Sequence, residues 1–279
     1  MIRIWECELE GPDGFRFSPS LGSLLHGALN EVLPPEVAGE WHRQGLRPYQ
    51  QHLYFDKKRN AAVWRIGAFT KQATAELERC LAFLQAQGIW LKHKNVRLLV
   101  RQAACVLETT YLALSERFFT ADTAENHYVL QLTTPTGYKS GGEYMLYPKL
   151  EHFFYSASQR WNAFSSGISL EDSEALAHIV QHAQVSGYRL NMTRFSLEGV
   201  FIPAFQGTVE IRLNGPEALL RVGGLLLAYL EIVGLGMKTA LGMGGVRVGV
   251  RQGGSREVKS LFSAARAGQE LTGNGDENG

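Results

Sequence analysis

Cysteine is scarce in this chain of 279 residues: Cys7, Cys80 and Cys105 stand far apart and are odd in number. No Cys-x-x-Cys pair or His-rich spacing accompanies them, which argues against a disulfide framework and offers no zinc-site pattern. Charge of one sign is lacking too, with 28 Lys and Arg against 27 Asp and Glu and a net charge of +1. Bulk charge therefore gives no support for a nucleic-acid partner, and any electrostatic footprint has to be local. No run approaches the ~18 apolar residues of a membrane span. The first residues alternate directly, without a basic segment, an apolar segment and a cleavage site in succession. No membrane association is expected, and the chain reads as cytoplasmic with reduced thiols.

What is present is a globular composition, 45% hydrophobic and 20% charged, arranged in recognisable periods. Met1 to Glu10 alternates as a strand. Ser18-Pro19-Ser20 can cap the helical spacing of Leu21, Leu24, Leu25, Ala28, Leu29 and Val32, which Pro34-Pro35 should end. Residues 50–56 and 61–69 read as paired strands, Thr70 to Gln87 as an amphipathic helix stopped by Gly88, and residues 96–112 as a long strand. That βαββαβ order is the ferredoxin-like pattern. The second half repeats it loosely. Tyr128 to Thr133 is a strand, Thr134 to Gly137 a loop, and Tyr147 to Phe164 and Leu170 to Ala183 are helices. Strands are expected over 188–198 and 207–213, then an apolar helix opened by Asn214-Gly215-Pro216 and running to about Val233, and a last strand from Gly245 to Val250. The expected fold class is α+β, two tandem ferredoxin-like (RRM-like) domains. Residues 1–123 form the first, with the candidate active site, and 124–252 the second. Residues 253–279 are a polar tail, expected to be partly disordered at its end.

Five glycines, Gly234, Gly236, Gly242, Gly244 and Gly245, surround Lys238 and Thr239 within twelve positions. A phosphate loop of the G-x-x-x-x-G-K-[ST] type is disfavoured, because Met237 precedes the lysine and the order is helix before, strand after. Two readings stay open. The glycines can serve only tight turns, or they can bare backbone N–H groups to a sugar-phosphate chain with Lys238 adding charge.

The run from Gly234 to Gly245, between a helix and a terminal strand, resembles the C-terminal signature of the RAMP superfamily of CRISPR proteins. It looks most like the pre-crRNA endoribonuclease family called Cas six. Leu132-Thr133-Thr134-Pro135-Thr136-Gly137-Tyr138-Lys139 is similar to that family's L-T-P-T-x-x-K/R loop. Phe153 to Phe164, with Arg160-Trp161-Asn162, is similar to the helix after it. Ser20 to Tyr54 resembles its N-terminal helix and strand entry more loosely. The resemblance implies metal-independent cleavage of CRISPR repeat RNA, without a cofactor, by attack of a 2′-hydroxyl on the adjacent phosphate. The products would be crRNA with 2′,3′-cyclic phosphate and 5′-hydroxyl ends, and the protein could be retained as a subunit of a crRNA-guided effector complex. A non-catalytic crRNA-binding RAMP subunit is the alternative.

Such a reaction needs a base, an acid and a cation near the phosphorane, and histidine suits the first two. His26 lies in the first predicted helix. By residue pattern alone it is a histidine packed among leucines, but the resemblance places a catalytic histidine or tyrosine on that helix. His42 follows Trp41 in what reads as the loop after the helix, and Arg47 matches a basic residue expected five or six positions later. His26 and His42 are expected as acid/base pair, with Arg47 stabilising the phosphorane and Tyr49 a weaker candidate; which histidine is essential stays open. Gly234, Gly236, Lys238, Thr239, Gly242 and Gly244 are expected at the RNA, with Lys139 and Arg160 added by the resemblance. Two basic runs add to this, Arg43, Arg47, Lys57, Lys58, Arg59, Arg65 and Lys71, then Lys92, His93, Lys94, Arg97 and Arg101. His178 and His182, four apart on a helix, lack a third ligand and read as a solvated face rather than a metal site.

Overall fold

The computed structural model describes residues 1–251 and 257–262. Its first half runs β1 (Ile2–Glu10), α1 (Gly22–Val32), α2 (Pro35–Arg43), β2 (Tyr49–Asp56), β3 (Ala61–Ala68), α3 (Lys71–Gln87), β4 (Ile89–Leu91), β5 (Val96–Thr109) and α4 (Tyr111–Phe119). The second half runs β6 (His127–Thr136), β7 (Tyr138–Ser140), β8 (Glu143–Met145), α5 (Leu150–Phe164), α6 (Ser173–His182), β9 (Ala183–Leu197), β10 (Val200–Leu213), α7 (Glu217–Val233), β11 (Val246–Val250) and β12 (Lys259–Ser260). The strands form sheets of order β2-β3-β1-β5-β4 and β12-β11-β6-β10-β9, with β7 and β8 paired as a separate hairpin. Without the edge additions β4 and β12, each sheet has the strand order of a ferredoxin-like unit, and every pairing is antiparallel. The tandem ferredoxin-like fold class is the one observed.

Several details depart from the periodicity. Pro34-Pro35 ends α1 as expected, with Leu33 extended before the first proline, but Pro35 then opens α2 at its first turn. His42 is consequently on the last turn of a helix, not in a loop. The expected long strand stops at Thr109, and Thr110 caps α4 by accepting from the Ala113 N–H at 3.0 Å. The predicted loop over Thr134 to Thr136 is instead the end of β6. Pairing of β6 with β10 slips between Phe205 and Gly207, and such an irregularity accommodates a proline that cannot donate to the ladder. Within the expected tail, Lys259 and Ser260 pair with β11. The disorder expected at the chain's end falls outside the described residues.

Two large apolar clusters hold the layers. Leu25 and Leu29 of α1 and Leu77, Leu81 and Leu84 of α3 pack beneath the first sheet. Leu226, Leu230 and Val233 of α7 pack with Phe153, Phe154 and Trp161 of α5 beneath the second. Each fully buried leucine contributes on the order of 1.5–3 kcal/mol. Between the sheets lies a different kind of contact. Glu6 of β1 and Arg65 of β3 meet Glu231 of α7 and Arg247 of β11. Arg65 bonds Glu6 at 2.6 Å and Glu231 at 3.0 Å, and Arg247 contacts both carboxylates. Glu231 also accepts the Val248 N–H at 2.7 Å, and Tyr54 donates to Glu6 at 3.2 Å. Burial alone would raise the Glu6 pKa, but Arg247 and Arg65 outweigh it and hold the carboxyl down at about 2.

Arg65 was expected in an RNA-facing basic run and is buried here instead. Arg59 is taken up by Glu6 at 2.6 Å, Lys92 by Glu31 at 2.9 Å, and Arg101 by Glu10. The two runs therefore present far less free charge than their sequence suggests.

Removing one partner of a buried ion pair strands the other charge in a low-dielectric site. Glu231→Gln is expected to lower unfolding free energy by about 3–5 kcal/mol, measured by urea denaturation. The Glu6 contribution is fully present above pH ~4.5 and is lost as pH falls toward 2, because its folded pKa lies below the unfolded value.

Candidate active site

The helix α1 buries Gly22, Leu25, Ala28 and Leu29 against the first sheet. His26 falls on its flank and is partly exposed, beside exposed Gly27. Three side chains converge on its ring. The Tyr49 hydroxyl lies 2.8 Å from Nδ1, the Asn30 amide nitrogen 2.9 Å from Nε2, and Arg47 Nη1 3.4 Å from Nε2. An amide nitrogen and a guanidinium can only donate, so Nε2 is the acceptor and Nδ1 carries the proton, donated to Tyr49. Burial, then the Arg47 charge, then His42 push the His26 pKa down to about 4. The ring is thus neutral near pH 7, with its Nε2 lone pair toward two donors.

The neighbours are themselves fixed by local packing. Tyr49, first residue of β2, is buried and packs its ring 5.0 Å from that of Trp41, which anchors α2. His42 sits next to Trp41 on the outer side of α2 and is exposed, as is Arg43. Arg47 is half-buried in the connection to β2. The structure therefore gathers the three candidates around His26 on the flank of α1: His26 and Arg47 in contact, and His42 near enough to affect the His26 proton affinity.

The glycine-rich segment closes against this region from the other half of the chain. Gly234, Thr239, Gly242 and Gly244 are buried, Gly236 is partly exposed, and Lys238 is exposed. The Leu235 N–H donates to the Gly244 carbonyl at 2.8 Å, Met237 to Gly137 at 3.0 Å, and Gly244 to Pro135 at 2.9 Å. At Gly244, φ is +70° and an added Cβ would meet the Leu235 oxygen at 2.0 Å, so only glycine fits. Gly234, Gly242 and Gly244 thus serve close chain packing, which corrects the expectation that they bare their backbone to an RNA. Thr239 is likewise buried. The part that reaches the surface is Gly236 to Lys238, where Lys238 adopts the left-handed conformation at φ +56°.

Arg160 does not face outward either. It is 8% exposed and donates to the Gly236 carbonyl at 2.9 Å, so it props the loop from beneath. Lys139 is exposed on β7, with its ammonium 5.7 Å from the Tyr144 ring centre. His178 and His182 are exposed on α6 with ring centres 6.3 Å apart, and His182 Nδ1 is bonded to the His178 carbonyl.

Sequence reasoning missed Asn30 and Gln51. Asn30 stands one helical turn after His26, the spacing at which side chains meet, and that was the available signal. Gln51 carried none, since Gln50 and His52 on either side of it are polar as well.

A tandem ferredoxin-like protein with a glycine-rich loop between its last helix and last core strand is the class these features define. Comparison with known proteins narrows it. The sequence model of "CRISPR-associated endoribonuclease Cas6" matches residues 130–246. A curated Cas6 endoribonuclease of Mycobacterium tuberculosis is 26% identical over 82% of this chain and 72% of that protein. One from Streptococcus thermophilus is 25% identical over 82% of this chain and 91% of its own. A solved Thermus thermophilus Cas6 product complex superposes with a TM-score of 0.73 at 20% identity, over 88% of this chain and 99% of that one. Over most of its length the chain is similar to CRISPR-associated endoribonucleases of the Cas6 family.

Tyr49→Phe removes the acceptor of the His26 Nδ1 proton and leaves a partly buried donor unpaired, at a cost of about 1–3 kcal/mol. The expected outcome is a drop of roughly tenfold in the rate of RNA cleavage with an unchanged fold, measured by single-turnover kinetics and circular dichroism.

Proposed function

We propose that this protein cuts CRISPR repeat RNA by intramolecular transesterification. The 2′-hydroxyl attacks the adjacent phosphorus, the bond to the 5′-oxygen breaks, and a 2′,3′-cyclic phosphate and a 5′-hydroxyl end remain. The observation that carries this reading is the neutral His26 ring with its Nε2 lone pair beside the Arg47 guanidinium. In the bound substrate the 2′-hydroxyl takes the place of the Asn30 amide at Nε2 and gives its proton to that nitrogen. Arg47 then lies beside the phosphate as negative charge grows on the phosphorane. His42, exposed and near the same ring, supplies the proton to the departing 5′-oxygen. Neither step calls on a metal ion.

RNA binding is assigned to the surface part of the glycine-rich loop, Gly236 and Lys238, with Lys139 on the neighbouring hairpin. The crRNA product would stay on this surface after cleavage, and a crRNA-guided complex could take up protein and product together. Among the described residues no helix is long and apolar enough to cross a membrane.

The discriminating experiment incubates the chain with its cognate repeat RNA in EDTA. Wild type is expected to cut once per repeat, and His26→Ala to lose about 10²–10⁴-fold in rate, with a smaller loss for His42→Ala. Binding without cutting by wild type would sink the enzymatic reading in favour of a crRNA-holding subunit. The pH profile adds an independent check. The acidic limb of kcat/KM reports the free enzyme's base, and here it should lie near pH 4 rather than at the ~6.5 of an ordinary imidazole.

Lys238→Ala is expected to weaken repeat RNA binding and to reduce the salt dependence of affinity by about one counterion. Equal slopes for wild type and variant in a salt titration would remove Lys238 from the RNA surface.

A further inference from the structure

Gln51 is fully buried in β2, yet each of its side-chain polar groups is satisfied by a different part of the chain. Its amide nitrogen donates to the Gly22 carbonyl at 2.8 Å and to the Ala240 carbonyl at 3.0 Å. Its oxygen accepts the Trp64 indole N–H at 2.8 Å. Gly22 opens α1, and Ala240 belongs to the glycine-rich segment. In an α-helix the carbonyl of residue 22 is also the acceptor for the N–H of residue 26. The Gln51 amide therefore grips the same carbonyl to which the His26 backbone is bonded.

Two further contacts support the same junction. Gly22 and Gly242 meet backbone to backbone, and a Cβ added at Gly22 would come within 2.7 Å of the Gly242 Cα. Tyr49 and Gln51 are two apart on one strand and so lie on one face of β2. The first holds the His26 ring at Nδ1, and the second holds the first turn of the helix that carries it.

We propose that Gln51 is a positioning residue for cleavage, locking the first turn of α1 to the glycine-rich segment so that His26 is set at the substrate by the second half of the chain. The inference rests on the reading of His26 as the base. On this account the glycine-rich segment has two separable duties. Lys238 binds RNA at its surface, while Ala240 and Gly242 seat the catalytic helix from below. The first duty governs affinity and the second governs rate.

The test compares wild type, Gln51→Met, Gly22→Ala and His26→Ala on repeat RNA. Gln51→Met keeps the side chain's length and removes its donors. Gly22→Ala keeps every hydrogen-bonding group and forces α1 off the loop. Single-turnover rate constants and amplitudes are measured on cleavable RNA, and affinities on RNA with a 2′-deoxy residue at the cut. Gln51→Met and Gly22→Ala are expected to lower the rate constant at least tenfold, with full amplitude and affinity within about threefold of wild type. Full amplitude separates misplacement of His26 from loss of folded protein, since a partly unfolded sample cuts less RNA at the native rate. If Gln51→Met does not fold, Gly22→Ala carries the comparison. Wild-type rate constants in the folded variants, or affinity losses as large as the rate losses, overturn the proposal. If His26→Ala itself cuts at the wild-type rate, the failure belongs to the assignment of the base.

Discussion

The arrangement depends on four charges between the two sheets, three of them buried and the fourth, Arg247, partly exposed. Glu6 and Arg65 come from the first sheet, Glu231 and Arg247 from α7 and β11 of the second half. Taking such charges out of water costs several kcal/mol per ion, and only close mutual pairing recovers it. The pairing can be complete only when both sheets face each other in one register. Apolar side chains also cross between the halves, Ile2 and Ile4 of β1 packing in one cluster with Leu226 and Leu230 of α7. The network joins the two halves at the junction where α1 also meets the glycine-rich segment.

The candidate active site depends on that junction. Its groups all come from the first half of the chain, but the helix bearing His26 rests at its first turn on the glycine-rich segment of the second. The ring's low proton affinity has a local cause, since desolvation and the Arg47 charge both oppose protonation. Its placement has a distant one. The same division accounts for the mixed character of the glycine-rich segment, where some glycines permit close backbone contact and a single lysine reaches the surface.

Much of the fold was legible in the sequence because the periods are strong. The βαββαβ order, the helix stop at Gly88, and the apolar stretch of α7 all pointed the same way. Elements governed by a single residue were harder to read. Pro34 ends one helix and Pro35 begins another, and Pro135 suggested a loop where a slipped register carries the strand through. At the site, the resemblance pointed to His26, His42 and Arg47, and these gather at one place. The glycines and Arg160 were expected at an RNA surface, and Gly234, Gly242, Gly244 and Arg160 are buried. Composition signals small residues and charge but does not tell which face of a loop they occupy. Glu231 in the apolar last turns of α7 and the lone charge Arg65 in β3 were the available signs of the buried network, and only their spatial pairing gives them meaning.

The central claim is that the fold holds His26 neutral, with Nδ1 protonated and Nε2 presented as the acceptor. A pH titration of the ring nitrogen shifts of ¹⁵N-histidine-labelled protein, with His26 assigned by substitution, tests it most directly. The account predicts the Nδ1–H tautomer near neutral pH and a titration midpoint near 4. A His26 ring that carries its proton on Nε2, or that titrates near the ~6.5 of a free imidazole, would contradict it.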